Sequence, residues 1–325
     1  MKFIMAIALG LGLGTLFNLD DFIYTSVWFE FLSTLALLIG LYGSVYGIDR
    51  EKLLEEREIV FSAVTIGVVL KILIIGLLFY AVTDQIGWSF LLATIIAQID
   101  PLSVASLEEN RLSERGNTIL RAWASFDDPM TVIISVWIST LIVGGDFNLF
   151  NLGVDILYNL LFAYGVYRLY QPIREKNRYQ LLLLFFAFIV ALSFQLFLGI
   201  ALIAIFLKPN IENEIESAIK MALFYVSVVM GILISHGLNV VEGVVLGVLT
   251  ILAQVITSWL LTKELEIPDR IQLSIAQQSG ITAITLAVYF SSLHPQVVET
   301  IAVAILTINL LYWGLNRLYR VMTPS

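Results

Sequence analysis

The sequence predicts an all-α polytopic membrane protein of about twelve transmembrane helices. Three observations lead there. The 325 residues are 59% hydrophobic and only 14% charged, where a soluble domain carries about 25% charged residues. Apolar runs of roughly 20 residues, enough to cross a ~30 Å hydrocarbon core, follow one another with short connections and leave no stretch for a sizeable soluble domain. The Lys and Arg residues fall in alternate connections, as the positive-inside rule requires of a chain that crosses repeatedly.

The runs place spans at 2–18, 26–48, 59–82, 88–106, 117–142, 149–170, 179–195, 197–209, 217–236, 238–261, 271–290 and 297–318. The first has Lys2 and an apolar stretch like a signal peptide, but its Gly-rich end lacks an Ala-x-Ala-like cleavage site and it reads as a span. Gly10, Gly12 and Gly14 in it mark close helix packing. The seventh and eighth spans come from one apolar run, 179–207, divided near Gln195 and Gly199. The charge map favours that division. Lys2; Arg50, Lys52 and Arg57; Arg111, Arg115 and Arg121; Arg168, Arg174, Lys176 and Arg178; Lys208 and Lys220; Lys263 and Arg270; and Arg317 and Arg320 then share one side. The intervening connections 19–25, 83–87, 143–148, 235–238 and 291–296 hold no Lys or Arg. Both termini are therefore expected on the cytoplasmic side, in a cell (inner) membrane.

The 325 residues are read as a single transmembrane transport domain. The absence of cysteine excludes a disulfide framework and a thiolate metal site. The net charge of −8 on a membrane-embedded chain gives no reason to expect a nucleic-acid partner. The surrounding partner is the lipid bilayer.

Charged residues inside spans carry the functional reading. Asp127 and Asp128, followed by Pro129, interrupt the fifth span, and a carboxylate near the bilayer centre costs ~3 kcal/mol or more on insertion scales. Such residues are by default ion or proton sites. Asp100-Pro101 interrupts the fourth span. Proline lacks a donor and clashes with the preceding turn, so an acid before it at mid-membrane depth marks a broken helix. The eleventh span contains Gln277-Gln278-Ser279-Gly280, a polar stretch that reads as a second break. Paired discontinuous helices are the sequence pointer to a transporter site. Lys71 lies too deep in the third span to snorkel, and so needs a carboxylate or a hydrated cavity. Asp100 either contacts the ion or neutralises the ends of broken helices. Gln277 and Gln278 are either ligands or hydrogen-bonding links between helices. His236, near the end of the ninth span, reads as a surface histidine rather than a pH sensor, and Asp155 and Glu242 as solvated.

These residues carry a family resemblance. Ile99-Asp100-Pro101-Leu102-Ser103-Val104-Ala105 resembles the Thr-Asp-Pro-Val-Ala-Val stretch of the monovalent cation/proton antiporter superfamily. Ser125-Phe126-Asp127-Asp128-Pro129-Met130 resembles its Phe-Asn-Asp-Pro-Leu stretch in the next helix. Ser279-Gly280-Ile281-Thr282-Ala283 is similar to its Arg-Gly-Ala-Ile-Ser segment, and Leu196 to Asn210 to its Ser-Gly-Phe-Leu-Ala-Ala-Phe-Val-Ala-Gly helix pair. The resemblance implies inverted repeats with two crossing broken helices, a sodium/proton antiporter-like fold. It implies a core bundle from spans 59–142 and 238–318, with the other helices as scaffold, and a homodimer. It also implies that Asp128 binds cation and proton in turn.

Three departures bear on mechanism. Asp127 stands where many members have Asn, and members with two acids there tend to be electrogenic. Electroneutral members often have an acid where this chain has Trp123, and Arg where it has Ser279. Electrogenic members often pair the first acid with a Lys in the tenth span. No buried base is read in spans ten to twelve here, and Lys71, at the repeat-related position, is expected to pair with Asp127.

The expected function is secondary antiport, not an enzymatic reaction. Na+, or alternatively Li+ or K+, exchanges for H+ by competition at a buried aspartate, electrogenically as the resemblance to two-acid members implies. No cofactor is expected; monovalent cations and protons are the substrates. Hard cations prefer oxygen ligands, so Asp128 and Asp100 are the expected Na+ ligands, with Ser125, Thr131, backbone carbonyls and water completing the shell. Lys71, Gln277, Gln278 and Gly280 support the site. A potassium/proton antiporter or a cation channel of related fold is the alternative. An intramembrane aspartyl protease fits less well, because neighbouring acids on one helix point about 100° apart.

Overall fold

The computed structural model describes residues 2–17, 19, 26–47, 55–100, 112–142, 149–291, 294 and 296–322. Among these, the regular structure is helical: α1 Lys2–Phe17, α2 Val27–Tyr46, α3 Arg57–Ser62 continuing through a π turn Ala63–Gly67 into Val68–Thr83, α4 Ile86–Ile96, α5 Glu114–Ile142, α6 Leu149–Tyr170, α7 Asn177–Phe194, α8 Phe197–Ala204, α9 Glu212–Leu233, α10 Val240–Leu261, α11 Ile267–Ser274, α12 Ile281–Phe290 and α13 Gln296–Met322. Helices α2, α3, α7, α9, α10 and α13 are long and apolar enough to cross a membrane by length and composition. Large apolar side chains cover the outer surface, among them Phe61, Leu77, Phe185, Phe186 and Leu310, as a lipid-facing surface requires.

The apolar run 179–207 divides as the charge map requires. Gln195 takes a left-handed conformation, φ 53°, and ends α7. The eighth span departs from expectation, because its helix stops at Ala204 rather than 209. Eight residues rise only ~12 Å, so irregular backbone completes the crossing. Such backbone persists in a membrane only when its polar groups find protein partners. Here Tyr42 donates its hydroxyl to the carbonyl of Leu207 at 2.6 Å, and Tyr46 to that of Pro209 at 2.7 Å.

α1 runs beside α9 at very close range. A Cβ on Gly10 would overlap the Val228 carbonyl, and one on Gly231 the Ile7 carbonyl, so only glycine allows this approach. Gly14 packs similarly against Ile232 and Ser235, whereas Gly12 has nothing near it.

Two spans are broken. α4 ends at Ile96, well short of the expected 106, and Ala97–Asp100 are non-helical; Pro101, Leu102 and Ser103 lie outside the described residues. The eleventh span is interrupted between α11 and α12, where residues 275–280 leave the helix. The two interruptions meet: the Asp100 amide donates to the Gln278 carbonyl at 2.9 Å. α3 and α10 lie antiparallel beside them. Gly67 faces Thr257 and Leu261 near one end. At the other end Trp88, at the start of α4, donates to Glu242 at 3.2 Å. Glu242 is thus half-buried and bonded rather than fully solvated. Asp155 is exposed, and the His236 side chain lies outside the described set.

Candidate functional site

The crossing is built from α3, the end of α4, α5 and the gap between α11 and α12. On α3 the buried positions are Val68, Lys71, Ile72, Ile75, Gly76 and Phe79, a helical stripe at i, i+3, i+4 spacing. Lys71 therefore sits on the face that α3 buries. The π turn one turn earlier inserts a residue into the helix and sets that register; such turns recur at functional sites.

Lys71 Nζ lies 2.5 Å from Asp127 Oδ2, and both side chains are 0% exposed. The backbone amide of Ile99, in the broken end of α4, donates to the same oxygen at 3.3 Å. Trp123, one turn before Asp127 on α5, donates its indole Nε1 to Oδ1 at 3.1 Å. Its ring also lies under Lys71 Nζ, 5.4 Å from the ring centroid, within cation–π range. Both oxygens of Asp127 are thus occupied by three donors.

Asp128 is held differently. Thr282, in the first turn of α12, donates to Oδ2 at 2.8 Å. Oδ1 is buried and has no hydrogen-bond partner among the described residues. Asp100, Asp127 and Lys71 are the charged groups near enough to act on it. Three carboxyls thus face one ammonium, an arrangement that attracts a further cation when the acids are ionised.

Pro129 follows inside α5. It has no N–H to give the Ser125 carbonyl four residues back, which frees that oxygen on the turn before Asp128. Ser125 itself is buried. Thr131 donates to Gln98 Oε1 at 2.8 Å and shares its hydroxyl with the Asp128 carbonyl.

The polar residues of the second break mostly hold the crossing together. Gln277 Nε2 reaches the carbonyl of Gln98 at 2.6 Å and that of Ile96 at 3.4 Å, satisfying the end of α4; its Oε1 is unpartnered among the described residues. The Gln278 carbonyl accepts the Asp100 amide. Gly280 lies directly against the Asp100 carboxylate, where a Cβ would overlap it. Asn309 of α13 brackets Ser279, accepting from its amide at 3.3 Å and donating to its carbonyl at 3.0 Å.

The structure therefore brings together Lys71, Asp100, Asp127, Asp128, Thr131, Gln277, Gln278 and Gly280, with Ser125 one turn away. Sequence reasoning did not assign roles to Trp123, Gln98, Thr282 or Asn309. Each is a lone polar or indole group in an apolar run, a signal too common in membrane helices to single out a partner.

Two broken spans crossing at a buried acid cluster define an integral membrane transporter rather than an enzyme. The chain belongs to the sodium/hydrogen exchanger family: the model of its transmembrane region matches residues 2–315. Cation/proton antiport is the activity of that class. Among solved structures, the chain is similar to the sodium proton antiporter MjNhaP1 from Methanocaldococcus jannaschii at pH 8, with 17% identity, 99% of this chain and 98% of that one covered, and a TM-score of 0.71. An electron-microscopy structure of MjNhaP1 matches at 18% identity over 98% of this chain and 89% of that one, with a TM-score of 0.69. At such identities the likeness establishes the fold. No curated protein sequence matches the chain.

Proposed function

We propose that this protein exchanges Na+ for H+ across the cell membrane, and that the two ions compete for Asp128. The observation that carries this reading is the difference between adjacent acids. Asp127 has both oxygens filled by protein donors, whereas Asp128 keeps one buried oxygen without a partner among the described residues. A bare buried carboxylate oxygen is costly unless it binds a proton or a cation. A sodium ion there would draw oxygen ligands from Asp128, the Ser125 carbonyl freed by Pro129, Thr131 and water, with Asp100 contributing charge from across the break. A proton on Asp128 removes the charge that holds the ion, and the departure of that proton restores it.

One acid that takes either one Na+ or one H+ gives electroneutral exchange. Electrogenic exchange needs a second titrating group, and the Lys71–Asp127 pair is the group beside it. The resemblance to two-acid members supports the electrogenic form. The basic loops favour cytoplasmic termini. Spans 59–142 and 238–318 are proposed as the moving core, with the remaining helices as scaffold in a homodimer.

The test is cation-induced dissipation of a pH gradient in proteoliposomes across Na+, Li+ and K+. Wild type should respond to Na+ and Asp128→Asn should not. Undiminished exchange in Asp128→Asn would overturn the assignment, and a response to K+ alone would make the protein a potassium/proton antiporter.

A further inference from the structure

Among the described residues, buried polar atoms without partners gather on one helix face. Of the nine such side-chain atoms among the described residues, three lie close together on α10: Gln254 Oε1, Thr257 Oγ1 and Ser258 Oγ. All three residues are 0% exposed, and their i, i+3, i+4 spacing puts them on one helix face. Hydroxyls in membrane helices usually bond back to a carbonyl of their own helix. Thr250 on this same helix and Thr262 at its end do so, to Leu246 at 2.8 Å and Ser258 at 2.7 Å. Thr257 and Ser258 do not, and their hydroxyls have no other partner among the described residues.

Those neighbours lead to the Lys71–Asp127 pair. A Cβ added at Gly67 on α3 would lie 3.5 Å from Thr257 Cγ2 and 3.5 Å from Trp123 Cζ2. The Trp123 indole in turn donates to Asp127. Because α3 and α10 are antiparallel, moving three residues from Thr257 to Gln254 and four from Gly67 to Lys71 goes the same way, by ~4.5 and ~6 Å. Gln254 is therefore at about the depth of Lys71. Its amide Nε2 donates to the Leu273 carbonyl at the end of α11, 3.0 Å away, which leaves Oε1 for another partner. The opposite end of the stripe approaches the basic end of the bundle, where Lys263 follows α10 and Arg270 lies in α11. Arg270 donates to the Trp259 carbonyl through a terminal guanidinium nitrogen, while its Nε is buried without a partner among the described residues.

Acceptors and hydroxyls buried in this way are satisfied by water, which typically makes about three hydrogen bonds to such groups. We infer that Gln254, Thr257 and Ser258 line a narrow water-binding path between α10, α3 and α11, running from the basic end of the bundle to the Lys71–Asp127 pair. The path carries protons to that pair. This rests on the proposed antiport only for its role; the hydration itself does not depend on it.

The cysteine-free chain makes the path directly measurable. Thr257→Cys and Ser258→Cys, each in oriented proteoliposomes, are exposed to silver ion from the side of the basic loops. The protein is then denatured and its free thiol titrated with a fluorescent maleimide. Silver should protect both positions. It should not protect Ala253→Cys, which is buried on the same helix, or Ile256→Cys, which faces lipid. Absence of protection at 257 and 258 in variants that elute as folded protein would overturn the path, and so would equal protection at Ala253→Cys. The near-isosteric pair Thr257→Val with Ser258→Ala supplies the second measurement. It should slow exchange several-fold and leave the half-saturating Na+ concentration unchanged; an unchanged rate would overturn the proton role. Protection by silver in a protein with no cation-driven exchange would uphold the water path while removing the antiport it was proposed to serve.

Discussion

Lys71 and Asp127 form an ion pair with Nζ and Oδ2 2.5 Å apart, buried completely between α3 and α5. Charge burial of this kind contributes little net stability, because desolvation opposes the attraction. Removal of one partner alone, however, typically costs ~3–5 kcal/mol, since the other charge is stranded. Asp127 is better protected against that loss than Lys71, because the Ile99 amide and the Trp123 indole also donate to it.

The asymmetry predicts an ordered set of stabilities. Asp127→Asn should be the most destabilising single change, because it leaves the ammonium without a hydrogen-bonded carboxylate, with only the Trp123 ring in contact and Asp128 acting on it from further away. Lys71→Met should be milder. The double variant should be more stable than Asp127→Asn alone. Thermal unfolding in detergent measures this, and a double variant no better than the worse single would mean that the pair is not energetically coupled.

Voltage dependence separates the two acids functionally. If the Lys71–Asp127 pair supplies the second proton, wild-type exchange should be driven by an imposed membrane potential. The double variant Lys71→Met/Asp127→Asn should retain Na+-dependent exchange at Asp128 but lose that sensitivity. Potassium-clamped liposomes provide the measurement. Equal voltage response in both proteins would remove the pair from the transport cycle.

Thr282 should matter for affinity. It donates to Asp128 Oδ2 at 2.8 Å, and hydrogen bonds to charged groups contribute ~1.5–3 kcal/mol. Thr282→Val should therefore raise the half-saturating Na+ concentration about tenfold or more, while Thr282→Ser keeps the hydroxyl and remains near wild type. Equal Na+ dependence in the valine and serine variants would show that the bond does not set affinity.

What the sequence disclosed follows from what membranes penalise. Acids and a lysine inside apolar runs stand out because each is expensive there, so Asp100, Asp127, Asp128 and Lys71 were legible one by one. The pairing of Lys71 with Asp127 rests on the resemblance, in which electrogenic members pair the first acid with a lysine, and on Lys71 being the base that the sequence places inside a span. The contributions of Trp123, Thr282 and Asn309 were not legible, because a neutral polar group costs little in a helix and its partner depends on how broken segments cross. The short α8 was hidden for a related reason. Hydropathy reports that 197–209 is buried in an apolar environment, but not that Tyr42 and Tyr46 supply the donors that let its backbone unwind.

Gly280 offers the most direct test of the crossing geometry. A Cβ there would overlap the Asp100 carboxylate, and Asp100 is tied in place by the hydrogen bond that its backbone N–H donates to the Gln278 carbonyl. Asn309 fixes Ser279 immediately before the glycine, so the backbone on that side has little room to retreat. Gly280→Ala should therefore force the two breaks apart, lowering thermal stability and exchange together. Overpacking of this kind typically costs ~1–3 kcal/mol. Shortening the opposing side chain should relieve the overlap: Gly280→Ala/Asp100→Ala should unfold at a higher temperature than Gly280→Ala while exchange stays impaired for want of the Asp100 charge. A double variant that unfolds no later than Gly280→Ala would show that the two residues are not in contact across the crossing.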